Sequence, residues 1–167
     1  MVYVALVRSK SRHSICTTMI TMIEPLTSIR RNSSIYLPGG VVRADILCQR
    51  VVADILFLPG ASVLTTARNP WWIVASDCDW VERYRRERSV NEFFTTVSAF
   101  PERSVNDLHG EVIVAAFAKV LITATAKGTV ENVVGDACCD AVLTEISKVF
   151  PSWERLLAFQ LQDLPGE

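Results

Sequence analysis

The feature that most constrains this chain is a short apolar run followed at once by a polar one. Trp72-Ile73-Val74-Ala75 has no polar interruption and reads as a buried strand. Ser76-Asp77-Cys78-Asp79 follows, with side-chain oxygens able to accept the free amides of a first helical turn. Trp80 and Val81 then lead into a dense series of Arg and Glu. Residues 69–92 therefore predict a strand, a turn and a helix in succession, and hold three of the four tryptophans.

The chain has 167 residues, of which 50% are apolar and 21% charged, with a net charge of −1. Those values describe one globular domain over residues 1–167, long enough to bury a core and too apolar to stay disordered. A sequence pI of about 6.1 argues against general nucleic-acid binding, which needs a positive excess to release counterions. Charge is unevenly spread. Residues 1–44 carry six basic groups against Glu24, a net of +5, and residues 101–167 carry five against ten acids, a net of −5. Such ends attract each other across one domain. The second reading is a transit-type N-terminal leader, against which residues 3–7 (Tyr-Val-Ala-Leu-Val) read as an opening strand. No apolar run approaches the ~20 residues of a membrane helix, so no membrane association is expected.

Five cysteines, at 16, 48, 78, 138 and 139, show no C-x-x-C spacing. An odd count without a secretory signal suggests reduced thiols in a cytoplasmic setting. The two histidines, His13 and His109, sit in no metal-ligand spacing, so neither metal nor cofactor is expected.

Along the chain, residues 2–7 predict a strand, and residues 14–23 a strand or a helix ended by Pro25. Residues 33–37 predict a strand closed by Pro38-Gly39-Gly40. Residues 41–47 and 51–58 predict two further strands, the second closed by Pro59-Gly60. A competing reading makes 41–58 one amphipathic helix, because Val41, Ala44, Cys48, Val51, Ile55 and Leu58 share a face. The β-branched content and the Pro-Gly breaks favour strands. Residues 62–66 and 71–75 complete the strand-rich part.

Two near-identical pieces follow, Glu87-Arg88-Ser89-Val90-Asn91-Glu92 and Glu102-Arg103-Ser104-Val105-Asn106-Asp107. Both carry the Ser-x-x-acid pattern of a capping box and predict helix starts, each cap being worth about 1 kcal/mol. The second predicts one long buried helix over 105–127, with Gly128 beyond its end. Asp136 predicts a cap for a helix carrying Val142, Leu143, Ile146 and Val149, and Pro151-Ser152 a last short helix with Trp153, Leu156, Leu157 and Phe159. The expected class is α+β, an antiparallel β-meander in the N-terminal half packed against C-terminal helices. Residues 1–76 are expected to be strand-rich and 77–163 helix-rich.

No self-consistent catalytic set emerges. Cys78 lies between Asp77 and Asp79, whose charges raise a thiol pKa and disfavour a nucleophile. Cys138-Cys139 read as core residues at a helix start, since adjacent cysteines bridge only with strain. His109 and Glu111, two residues apart on a helix, point to different sides. Residues 82–88 read as a solvated helix face laced by the pairs Glu82–Arg86 and Arg83–Glu87. The same segment has the composition of an interface, because Trp, Tyr and Arg dominate binding hot spots and the Arg fork suits a carboxylate or phosphate.

A strand followed by Ser76-Asp77-x-Asp79-Trp80 and a charged helix resembles, over that short stretch, small bacterial immunity proteins that plug their toxins. The resemblance implies an inhibitor that docks a protein partner. The expectation is a non-enzymatic binding module with Trp71, Asp77, Asp79, Trp80, Arg83, Tyr84, Arg85 and Arg86 at the partner surface. The alternative is a small hydrolase or transferase with Asp77, Asp79, His109 and Glu111 in one cleft.

Overall fold

A computed structural model describes residues 24–100 and 104–162. The expected strand at 2–7, the segment 14–23 and any leader lie outside the described residues. The class is α+β, built on a five-stranded antiparallel sheet of order β1-β2-β7-β5-β6. Its strands are β1 (Val63–Arg68), β2 (Trp71–Ser76), β5 (Ala118–Thr125), β6 (Val130–Val134) and β7 (Arg155–Leu161). A separate pair joins β3 (Ala99–Phe100) to β4 (Ser104–Leu108).

The central strands are buried on both faces, which explains their unbroken apolar runs. In β2, Val74 points into one core while Ile73 and Ala75 point into the other. In β7 the alternation puts Leu157 and Phe159 on the first face and Leu156 and Ala158 on the second. The larger core holds α1 (Pro25–Arg31), α3 (Ala44–Ile55), α4 (Trp80–Arg85), α5 (Val90–Thr95) and α6 (Gly110–Phe117). The opposite face is covered by α7 (Asp140–Val149) through Val142 and Ile146, with Trp153 beside them. Among the described residues no helix is long and apolar enough to cross a membrane.

Several local expectations hold. The β1–β2 hairpin falls at 63–76, and Asp79 caps α4 by accepting the Glu82 amide at 2.9 Å. Ser89 and Glu92 form a complete capping box at the start of α5.

Other elements differ. Residues 33–37 are helical as α2 (Ser33–Tyr36), followed by a 3₁₀ turn at Pro38–Gly40. The strands expected at 41–47 and 51–58 are the single helix α3, the competing reading, with Leu47, Cys48, Val51 and Ile55 buried along its stripe. Propensity loses here to burial of an amphipathic face, the usual source of helix stability in proteins. The helix expected over 105–127 is instead β4, the eight-residue α6 and the strand β5. Ser104 therefore starts a strand rather than capping a helix. The chain turns from α6 to β5 at Ala118, whose extended backbone (φ −72°, ψ 137°) needs no turn residue. The last expected helix is β7, because Leu156 to Phe159 bury both faces of a strand and not one face of a helix.

Candidate functional site

The eight residues expected at a partner surface do not share one. Trp80 is fully buried and its indole Nε1–H donates to Glu111 Oε1 at 2.7 Å. Tyr84 is buried as well; its hydroxyl donates to the Asp54 carbonyl at 3.2 Å and its ring meets Phe100 edge-on at 5.0 Å. Both follow from α4 being amphipathic: Trp80, Val81 and Tyr84 form its inner stripe. Trp71 packs on the α7 side of the sheet, whereas α4 packs on the other.

The two aspartates are committed to the fold. Asp77 Oδ1 accepts the Ser62 amide at 2.7 Å, a bond that holds its carboxyl below the usual range. Asp79 receives Arg155 Nε–H and Nη2–H, each at 2.8 Å, on its two oxygens. Arg85 closes on Glu82, three residues back, at 2.7 and 2.8 Å, and Arg88 donates to Ser98 Oγ and lies over the Phe93 ring. The helix stops at Arg85, and Arg86 turns the backbone to φ 55°, so the regular i,i+4 lacing expected beyond it is interrupted. Arg83 and Arg86 remain at the surface.

A different set of groups converges inside the larger core. Asp54, His109 and Glu111 are all buried, and one ligand atom from each lies within 4.8 Å of the others. His109 precedes α6 and Glu111 sits in its first turn, so they are not on opposite sides of a helix as the spacing suggested. His109 Nδ1 lies 3.9 Å from Glu111 Oε2. Asp54 comes from α3 and accepts the Gly110 amide on Oδ2 at 2.6 Å. That contact requires α6 to press onto α3, and Gly110 permits it: a Cβ there would stand 2.9 Å from the Arg50 carbonyl carbon and the Val51 nitrogen. Phe93, Phe100 and Tyr84 pack around the His109 ring, with centroids 5.0, 4.6 and 5.5 Å away.

Burial, followed by the charge of Asp54, pushes the Glu111 carboxyl up to about 8 from its ordinary 4.5. Donation from Trp80 to Oε1 opposes this only in part. Among the described residues Glu111 Oε2 is buried without a hydrogen-bond partner. The groups of the hydrolase alternative are thus divided: His109 and Glu111 lie in this interior cluster, while Asp77 and Asp79 bond elsewhere. Asp54 was missed because residues 51–58 read as a strand. On the helical reading it falls three residues after Val51 and seven after Leu47, an acid on an apolar stripe.

Three of the described thiols are held in the protonated form. Cys48, Cys78, Cys138 and Cys139 are free. Burial, then Asp45, drives Cys48 up to about 12, and burial also raises Cys78 and Cys139.

One open groove accompanies these features. It is lined by Asp45, Cys48, Gln49, Val52 and Ala53 of α3, by Leu56 just past the end of that helix, by Val63, Thr65, Thr66 and Ala67 of β1, and by Trp72. Its volume is about 560 Å³. Among the described residues β1 is an outer strand of the sheet, paired with β2 alone. None of Asp77, Asp79, His109 and Glu111 lines this groove. No known protein family, curated protein or solved structure matches the chain.

Proposed function

We propose that the protein is a non-enzymatic binding module that receives an extended segment of a partner protein along β1, against α3. The observation that carries this reading is the groove itself, which couples an apolar channel to a strand edge. In an antiparallel ladder alternate residues direct their N–H and C=O away from the existing partner, so about three residues of the six-residue β1 face outward. An added strand satisfies those groups, while alternate side chains enter the channel. Val52, Ala53, Leu56 and Val63 supply apolar contact, and Trp72 an aromatic one. Asp45 is the single charged lining residue. Its ion pair with Arg43 (2.7 Å) is exposed and worth little, so a basic side chain of the partner can replace it.

This reading keeps the protein partner expected from the sequence and moves the docking face from the Trp/Arg segment to the groove. Immunity-type inhibition is one form such docking takes. A reducing, cytoplasmic setting is part of the same proposal.

Selection of a random peptide library on the full chain tests the proposal. The controls are Ala53→Arg, which fills the groove, and the double variant Arg83→Glu/Arg86→Glu. Enriched peptides should alternate apolar residues, bind wild type and the double variant equally, and bind Ala53→Arg at least about tenfold more weakly. Loss in the double variant alone would return the docking face to α4. No enrichment, or equal binding to Ala53→Arg, would reject the groove.

A further inference from the structure

The interior cluster is unused by a binding groove on the other side of α3, and its composition is costly for a core. Two carboxylates and an imidazole share one apolar site, and buried charge is tolerated in proteins when it is paired or coordinates metal. We infer that Asp54, His109 and Glu111 form a binding site for one divalent first-row transition ion of the zinc class.

Three observations support the site. The donor set, one imidazole nitrogen and two carboxylate oxygens, is the N/O mixture such ions take, whereas calcium and magnesium favour oxygen cages. The carboxylates are oriented from behind: Gly110 fixes Asp54 through Oδ2 at 2.6 Å, and Trp80 holds Glu111 Oε1 at 2.7 Å, which turns Oε2 of Glu111 toward the cluster. That Oε2 is fully buried, has no hydrogen-bond partner among the described residues and lies 3.9 Å from His109 Nδ1. The ligand atoms lie within 4.8 Å of one another. A tetrahedral ion with bonds near 2.1 Å requires ligand separations of roughly 3.4 Å, so binding draws the three inward by about 1 Å. Phe93 and Phe100 pack on the His109 ring and the ligands come from α3 and the start of α6, so the ion would brace α3 against α6 and enter as the chain folds.

The test refolds the full chain from urea with Zn²⁺, removes excess by dialysis and measures bound metal per chain. Glu111→Gln and Asp54→Asn, isosteric changes that keep the acceptors for Trp80 and Gly110, are treated alike and checked by circular dichroism. Wild type should retain one equivalent, melt higher with Zn²⁺ than with chelator, and give Co²⁺ visible bands without thiolate charge-transfer absorption. Each variant should bind about 100-fold more weakly or not at all. Failure of folded wild type to bind Zn²⁺ would overturn the site. Retention of a full equivalent by either folded variant would also overturn it, by placing the ion elsewhere, for example on the cysteines.

Discussion

Glu111→Gln gives the sharpest test of the core, because its effect should depend on pH in a way no packing change reproduces. The Glu111 carboxyl is fully buried and raised to about 8, against 4.5 for an exposed glutamate. A raised carboxyl pKa means that the folded state holds its proton while the unfolded state has released it. Its favourable contribution is complete below about pH 4.5. Stability is then lost as pH climbs, at about 1.4 kcal/mol per pH unit, until the folded carboxyl also ionises near pH 8. Over that window the loss is on the order of 3–5 kcal/mol, a large share of a typical domain's stability. Glutamine keeps an acceptor for Trp80 Nε1–H and carries no charge at any pH, so the dependence disappears.

The assay is urea unfolding of both proteins at pH 5, 6, 7, 8 and 9 with chelator present, followed by circular dichroism. At pH 5 the two should agree within about 1 kcal/mol, since both side chains are neutral when folded. At pH 9 Glu111→Gln should be the more stable by several kcal/mol. Parallel pH profiles would refute the reasoning and mean that Glu111 is ionised in the fold across this range. The same substitution should remove stabilisation by Zn²⁺, so its effects with and without metal have opposite signs.

The Arg155–Asp79 pair should be asymmetric. Asp79→Asn strands a guanidinium whose side chain is 4% exposed and should cost about 3 kcal/mol, whereas Arg155→Met leaves Asp79 partly hydrated and still capping α4 and should cost at least about 1 kcal/mol less. Equal urea midpoints for the two variants would show that the ion pair carries no desolvation penalty. Gly110→Ala should destabilise by about 1–3 kcal/mol despite alanine's better helix propensity, because the new Cβ meets backbone of α3 at 2.9 Å and neither helix can yield by a rotamer change. A neutral or stabilising result in the same unfolding assay would mean that α6 is less tightly seated on α3.

The parts of the fold legible in the sequence are those in which a local pattern and burial agree. Ser89 and Glu92 cap α5 because the reciprocal bonds need only residues three apart. β2 is legible because turn residues bound its apolar run. The errors share a different cause. Leu156 to Phe159 and Val120 to Ile122 are apolar without interruption, and a strand covered on both faces has no period to distinguish it from a buried helix. Ala118 then removes the remaining cue, because helix passes into strand there without glycine or proline. At 41–58 the helical stripe was visible but was outweighed by β-branched residues, and with it the meaning of Asp54 was lost.

The interior cluster was illegible for a topological reason. Asp54 and Glu111 are far apart in the chain and meet only where α3 and α6 cross at Gly110. Local rules judge each residue against its neighbours, so His109 and Glu111 stand out as candidates while nothing local joins them to Asp54. Taken together, a buried acid on the inner stripe of one helix and a His-x-Glu opening another, fully apolar helix are two local violations of one kind. Each places a titratable group where the surrounding sequence calls for hydrocarbon. Two such violations are costly separately and compensate only if they meet, so their coincidence in one chain is itself an argument for contact between α3 and α6. In chains of this kind the residues that contradict the hydrophobic pattern therefore carry more information on tertiary contacts than those that follow it.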